Sequence, residues 1–182
     1  MAVWQFRVIF LPERLLLSKY EVLPPALHQE LAEDFSWWAD VQPPAGFEDQ
    51  IDLILPQMAS WSTSQRMWGQ KHRDDAYVLY ADDSKSKVVE IAFRIDANAI
   101  SPELVKQICI LARQLECVLM TADYEILVPD ESMVLATIQH STAKKFVDDP
   151  AATLLKLGQP EMQKRFNYPM KDKENDPPRK DD

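Results

Sequence analysis

Glycine is nearly missing from this chain of 182 residues, with Gly46, Gly69 and Gly158 the whole complement. A phosphate-cradling loop needs several glycines close together so that backbone amides can approach the ligand. The sequence therefore holds neither a dinucleotide fingerprint nor a P-loop. Cysteine is as scarce: Cys109 and Cys117 flank the end of an expected helix and read as two buried, reduced thiols. No apolar run approaches the roughly 18 residues that span a bilayer. The apolar N-terminus is interrupted by Arg7 and by Pro12-Glu13-Arg14. It carries no basic leader and no small-residue cleavage site, so a signal peptide is not expected and a cytoplasmic location is. A GxSxG elbow and an HExxH grip are also missing. His28, His72 and His140 sit at no two-ligand spacing. No catalytic residue, metal ligand or cofactor is assigned from sequence.

The most telling absence is of positive charge. Between Lys19 and Arg66 lie 46 residues without a lysine or an arginine, yet with eight carboxylates: Glu21, Glu30, Glu33, Asp34, Asp40, Glu48, Asp49 and Asp52. The formal net charge is −9. Outside this window and the charged tail from Lys171 to Asp182 the chain is neutral. Such acidity disfavours nucleic acid, whose phosphates are bound by Lys and Arg with release of counterions. It disfavours anionic membrane surfaces for the same reason. A field of one sign favours a cationic protein surface instead.

What is present describes an ordinary globule, 46% apolar and 27% charged. Val3 to Leu11 alternates as a strand, with Trp4, Phe6, Val8 and Phe10 on one face and Gln5 and Arg7 on the other. Pro24-Pro25 is expected to open a helix with Leu27, Leu31 and Phe35 as its stripe. Gly46 to Leu55 is expected to be a second helix, with Phe47 and Ile51 inward and Glu48, Asp49 and Asp52 outward. Ala76–Tyr80 and Val88–Ile95 read as an antiparallel hairpin with one wet face carrying Glu90 and Arg94. Ser101-Pro102-Glu103 is a strong helix start, and Leu104, Ile108, Leu111 and Leu115 continue it as an apolar stripe. Cys117–Thr121 and Tyr124–Val128 are short strands. Helices are expected from Pro129-Asp130 to about His140 and from Asp149-Pro150 to Leu157. The sum is an α+β fold, an antiparallel sheet with helices packed mainly on one face, in a single domain over residues 1–158. Residues 159–182 form a charged, Pro-containing tail that is expected to be disordered.

The candidate binding residues follow from the window. Glu30, Glu33, Asp34, Asp40, Glu48, Asp49 and Asp52 supply the charge, and Trp37 and Trp38 the aromatic contact. Neighbouring side chains in a regular element cannot point the same way. One of the two tryptophans is therefore expected in the core and the other partly exposed, where an indole serves well as a binding anchor. Trp4 and Trp68 are assigned to the core.

The layout resembles that of small acidic bacterial immunity proteins, which antagonise secreted toxins. The segments that carry the likeness are Val3-Trp4-Gln5-Phe6, Trp37-Trp38 followed by Pro43-Pro44, Trp61-Ser62 with Trp68-Gly69, Glu90 to Asp96, and Phe146-Val147-Asp148-Asp149-Pro150. It covers roughly Val3 to Leu157. The resemblance implies a cytoplasmic, non-enzymatic protein that binds one cognate toxin and neutralises it. A toxin with a basic surface would be met faster by an acidic face. Two other classes stay open: an adaptor or chaperone for a secreted effector, and a small hydrolase built on carboxylates or a metal. An exposed strand edge would also allow a homodimer.

Overall fold

The computed structural model describes residues 3–34, 36–70 and 73–157. Seven strands form one fully antiparallel sheet. They are β1 (Gln5–Pro12), β2 (Gln57–Met58), β3 (Gln65–Gly69), β4 (Asp75–Tyr80), β5 (Val88–Asp96), β6 (Cys117–Thr121) and β7 (Ile126–Leu127). Their spatial order is β2-β3-β4-β5-β1-β6-β7. The first strand thus lies inside the sheet, paired with β5 on one side and β6 on the other. Helices α1 (Glu13–Lys19), α2 (Gln29–Asp34) and α3 (Phe47–Ile54) come before β2. Helix α4 (Pro102–Gln114) joins β5 to β6, and α5 (Glu131–His140), α6 (Thr142–Asp148) and α7 (Pro150–Leu157) close the described chain. This is the α+β architecture expected from the sequence.

The pleat divides the sheet into two chemically different faces. Register pairs Val8 with Phe93, Phe93 with Ala76, and Ala76 with Trp68, so these side chains share one face. Phe6, Phe10, Val78, Ile91, Ile95 and Leu119 join them, all buried. Phe10 and Phe93 meet with ring centroids 5.5 Å apart. Against this apolar face lie α3 and α4, which touch each other, with α5 beside α4. Ser101 caps α4 as the sequence predicts, its hydroxyl accepting the Leu104 amide at 3.2 Å. Buried Leu104, Val105, Ile108, Leu111 and Ala112 make the inward stripe of α4. At about 25 cal/mol per Å2 of buried apolar surface, this helix-on-sheet packing is a main stabilising contribution.

Three expectations need correction. Pro24-Pro25 does not open a helix, and α2 starts only at Gln29. The residue before a proline is pushed to extended backbone, so the pair prolongs an extended segment instead. Pro25 accepts the Ile126 amide at 2.9 Å and Leu27 donates to Tyr124 at 2.9 Å, with Ala26 bridging Glu125. The segment covers the free edge of β7, which would otherwise offer unpaired backbone groups. Phe35, expected on the stripe, lies outside the described residues. Trp4 is not core either. It precedes β1 and is 38% exposed, with its carbonyl accepting the Ala97 amide. Finally, α6 was not anticipated from the sequence, although Ser141 caps it through the Lys144 amide. The expected tail, residues 159–182, and His72 lie outside the described residues.

Candidate functional site

Trp37 and Trp38 are both buried, at 5% and 1% exposure, so neither is the expected exposed anchor. The alternation rule that separates neighbours holds only inside regular elements. Here the chain turns, and each indole finds its own carbonyl: Trp37 donates to Ala32, and Trp38 to Phe10 at 3.1 Å. The β1–β5 register ends at Ile9 opposite Ala92, which leaves the Phe10 carbonyl free on that side. Trp38 fills the gap. Gln42 then locks the turn to β5, accepting the Val88 amide at 2.7 Å and donating to the Val88 and Trp38 carbonyls. The two tryptophans therefore close the split between β1 and β5 over a 210 Å3 cavity lined also by Ile9, Leu11 and Met120.

The acidic residues divide into two groups. Glu30, Asp40, Asp49 and Asp52 are exposed, and none of them is ion-paired among the described residues. Glu48 is half-buried and accepts from Arg66 at 2.5 Å. Burial pushes its carboxyl up from the ordinary range, while Arg66 pulls the other way. Asp52, though exposed, accepts the indole N–H of buried Trp68 at 2.5 Å. These two bonds staple α3 along β3, so Glu48 and Asp52 hold the fold as well as carrying charge. Gly46, with φ of 80°, starts α3 from a left-handed conformation that a residue with a Cβ would resist. The side chains of Glu33 and Asp34 lie outside what the structure describes. The outer surface of α3 carries a further feature that sequence reasoning did not select. Leu53, four residues after Asp49, is 88% exposed beside Asp52. Trp61, in the link between β2 and β3, is 80% exposed. Both lie in the cation-free window, and burial distinguishes Trp61 from the buried Trp37 and Trp38 of the same window.

The second face of the sheet is mixed: Ile9, Leu11, Ala92, Val118 and Met120 are buried on it, and beside them lie the polar Gln5, Arg7, Glu90 and Arg94 that alternation predicts. These groups are not simply solvated. Arg7 stands opposite Arg94 in register, a like-charged pair that costs stability unless neutralised. Glu90 accepts from Arg7 at 2.5 Å, and Asp75 from Arg94 at 2.5 Å. Between them Tyr77 donates its hydroxyl to Glu90 and lies under both guanidinium groups, 5.8 Å from Arg7 and 5.4 Å from Arg94. Gln5 extends the network to Asp75 at 3.1 Å and to the Arg73 carbonyl at 2.8 Å. Burial opposes charge on Arg7, but the nearby Glu90 carboxylate prevails and holds its pKa above the ordinary value. Burial, then the Glu90 charge, pushes the Tyr77 phenol up. With each arginine paired to a carboxylate, the network leaves little net charge for an ionic ligand.

Cys109 and Cys117 are buried and unbridged. Burial pushes the Cys109 thiol up to about 11 and that of Cys117 higher, which keeps both in the unreactive thiol form. Among the described residues no group of three or more His, Cys, Asp or Glu side chains is placed to hold a metal ion. None of their helices is long and apolar enough to cross a membrane. No family model matches the chain, and neither a curated protein nor a solved structure matches it.

Proposed function

We propose that this protein is a non-enzymatic binding module of the immunity type, which neutralises a protein toxin by docking an acidic face on its basic surface. The observation that carries the reading is the exposure of Glu30, Asp40, Asp49 and Asp52 within a stretch of 46 residues that has no cation of its own. Asp49 and Asp52 stand three residues apart on α3, a like-charged spacing that costs a free helix on the order of tenths of a kcal/mol, while Glu30 sits on α2, on the Ile9 and Leu11 side of the sheet rather than the Trp68 side. A cationic partner relieves that repulsion and is steered into contact at a higher rate. Glu48 and Asp52 contribute to the same field while fixing α3 in place. The buried Trp37 and Trp38 are not available to the partner. The site is cytoplasmic in this reading, needs no cofactor and leaves nucleic acid and membranes aside.

Differential capture tests the proposal. Immobilised wild-type protein should retain a basic protein from the lysate of a toxin-bearing strain at low salt. The Glu30→Lys/Asp40→Lys/Asp49→Lys variant, folded by circular dichroism, should not retain it. Retention of the same proteins by both would contradict the acidic face as the docking surface.

A further inference from the structure

We propose that Trp61 is the aromatic anchor of this docking face, and that it receives an arginine side chain of the basic partner against its ring. The inference rests on the acidic-face reading and gives that face a specific contact. A large aromatic side chain at 80% exposure forgoes the roughly 25 cal/mol per Å2 that burial would return. Here the loop is also built to hold the indole out. Ser60 bonds the Ser62 carbonyl at 2.9 Å, and Gln65 donates to that same carbonyl at 3.3 Å. Thr63 donates its hydroxyl to Asp83 at 2.6 Å, and the Tyr80 amide reaches the Ser64 carbonyl at 2.9 Å. The backbone after Trp61 is thus tied to itself, to the end of β4 and, through Thr63, to the β4–β5 turn, with the Ser60 hydroxyl closing the loop from the other side. An anchor held in this way loses little conformational freedom on binding.

The place of the loop links it to the acidic helix. Arg66, five residues after Trp61, bonds Glu48 in the first turn of α3. In α3, β3 and the β4–β5 turn the carboxylates Glu48, Asp49, Asp52, Asp82 and Asp83 outnumber the cations Arg66, Lys85 and Lys87. Arg66 is already spent on Glu48. The surroundings of the indole therefore favour a cation. Among cations a planar guanidinium suits best, since it stacks on an indole and pairs with a carboxylate at once, while an ammonium is more tightly hydrated. A cation–π contact at an exposed site corresponds to about a two- to fivefold gain in affinity.

The test uses fluorescently labelled oligo-arginine and oligo-lysine peptides of equal length, titrated with the full chain at low salt and followed by anisotropy. Wild-type protein should bind both and prefer oligo-arginine by about threefold. Trp61→Ala should keep the oligo-lysine affinity and lose the preference; Trp61→Phe should recover part of it, because the ring face is restored. The Glu30→Lys/Asp40→Lys/Asp49→Lys variant should bind neither peptide. If wild-type protein binds neither, the acidic-face reading falls and the anchor with it. If both peptides bind and Trp61→Ala retains the arginine preference, the anchor alone is overturned.

Discussion

Replacing Trp38 and Trp61 in turn separates a tryptophan that builds the fold from one that decorates it. Trp38 is fully buried and donates its indole N–H to the Phe10 carbonyl at 3.1 Å. Trp38→Phe keeps most of the apolar contact but strands that carbonyl inside the split between β1 and β5. Leaving a buried acceptor unpaired costs about 1–3 kcal/mol, and the smaller ring adds about 1 kcal/mol for each methylene-sized void. The expected loss is about 3 kcal/mol. A chain of this length moves by about 2–4 °C per kcal/mol, so the midpoint of thermal unfolding should fall by about 6–12 °C. Trp38→Ala should cost about 3–5 kcal/mol, a large part of the roughly 5–15 kcal/mol available to a domain. Trp61→Ala should stay within about 0.5 kcal/mol of wild type, because its side chain is solvated and the loop is held through the backbone and the Thr63 hydroxyl. Urea and thermal unfolding followed by far-ultraviolet circular dichroism, which is dominated by the backbone, would measure all three. Equal destabilisation by Trp38→Phe and Trp61→Ala would refute the assignment of these side chains to interior and surface.

Two further changes probe the frame of the site. Gly69 has φ of 124°, and a Cβ there would stand 2.4 Å from the Asp74 carbonyl oxygen and 2.6 Å from the Asp75 Cα. Gly69→Ala should therefore lower stability by about 1–3 kcal/mol in urea, and an unchanged midpoint would contradict the crowding. Asp74 accepts the Asp96 amide at 2.7 Å, yet burial, with the charges of Asp96 and Asp75 behind it, raises its pKa. A carboxyl raised in the folded state binds its proton more tightly there than in the unfolded chain, so its ionisation opposes folding as pH rises through that range. Asp74→Asn keeps the acceptor and removes the charge. The variant should be more stable than wild type at pH 7, with the difference vanishing below the ordinary carboxylate range; a loss at pH 7 would show that the charge itself is needed.

Periodicity read the sheet and the long helix well because both obey a fixed repeat. Glu90 to Ile95 alternates in the structure as in the sequence, whereas a bulge at Val89, expected to point inward, puts Val88 opposite Tyr80 on the inner face instead, and Ser101-Pro102-Glu103 starts α4 where capping chemistry requires. The same reasoning failed where no repeat applies. Trp37-Trp38 sits in a turn, where two neighbours can both reach the interior. Pro24-Pro25 satisfies a rule for helix starts and equally a rule for extended edges, and the β7 edge decides between them. The acidic residues were legible as a charge pattern, but their partners were not. Arg66 and Trp68 reach Glu48 and Asp52 across 18 and 16 positions, and only the β3–α3 packing reveals which carboxylates are committed. Likewise Gln5, Arg7, Glu90 and Arg94 were placed on the wet face from alternation, while Asp75 and Tyr77, which neutralise and bracket them, came from register.

The central claim is that the cation-free window presents an open negative face. Its most direct test is the association rate of labelled oligo-arginine with the full chain, measured by stopped flow as ionic strength is raised. Wild-type protein should show a rate that falls steeply with salt, as expected when the Debye length shrinks from about 30 Å at 0.01 M to about 8 Å at 0.15 M. Glu30→Lys/Asp40→Lys/Asp49→Lys should abolish that dependence. A wild-type rate indifferent to salt, or a salt slope unchanged by the triple reversal, would contradict the account.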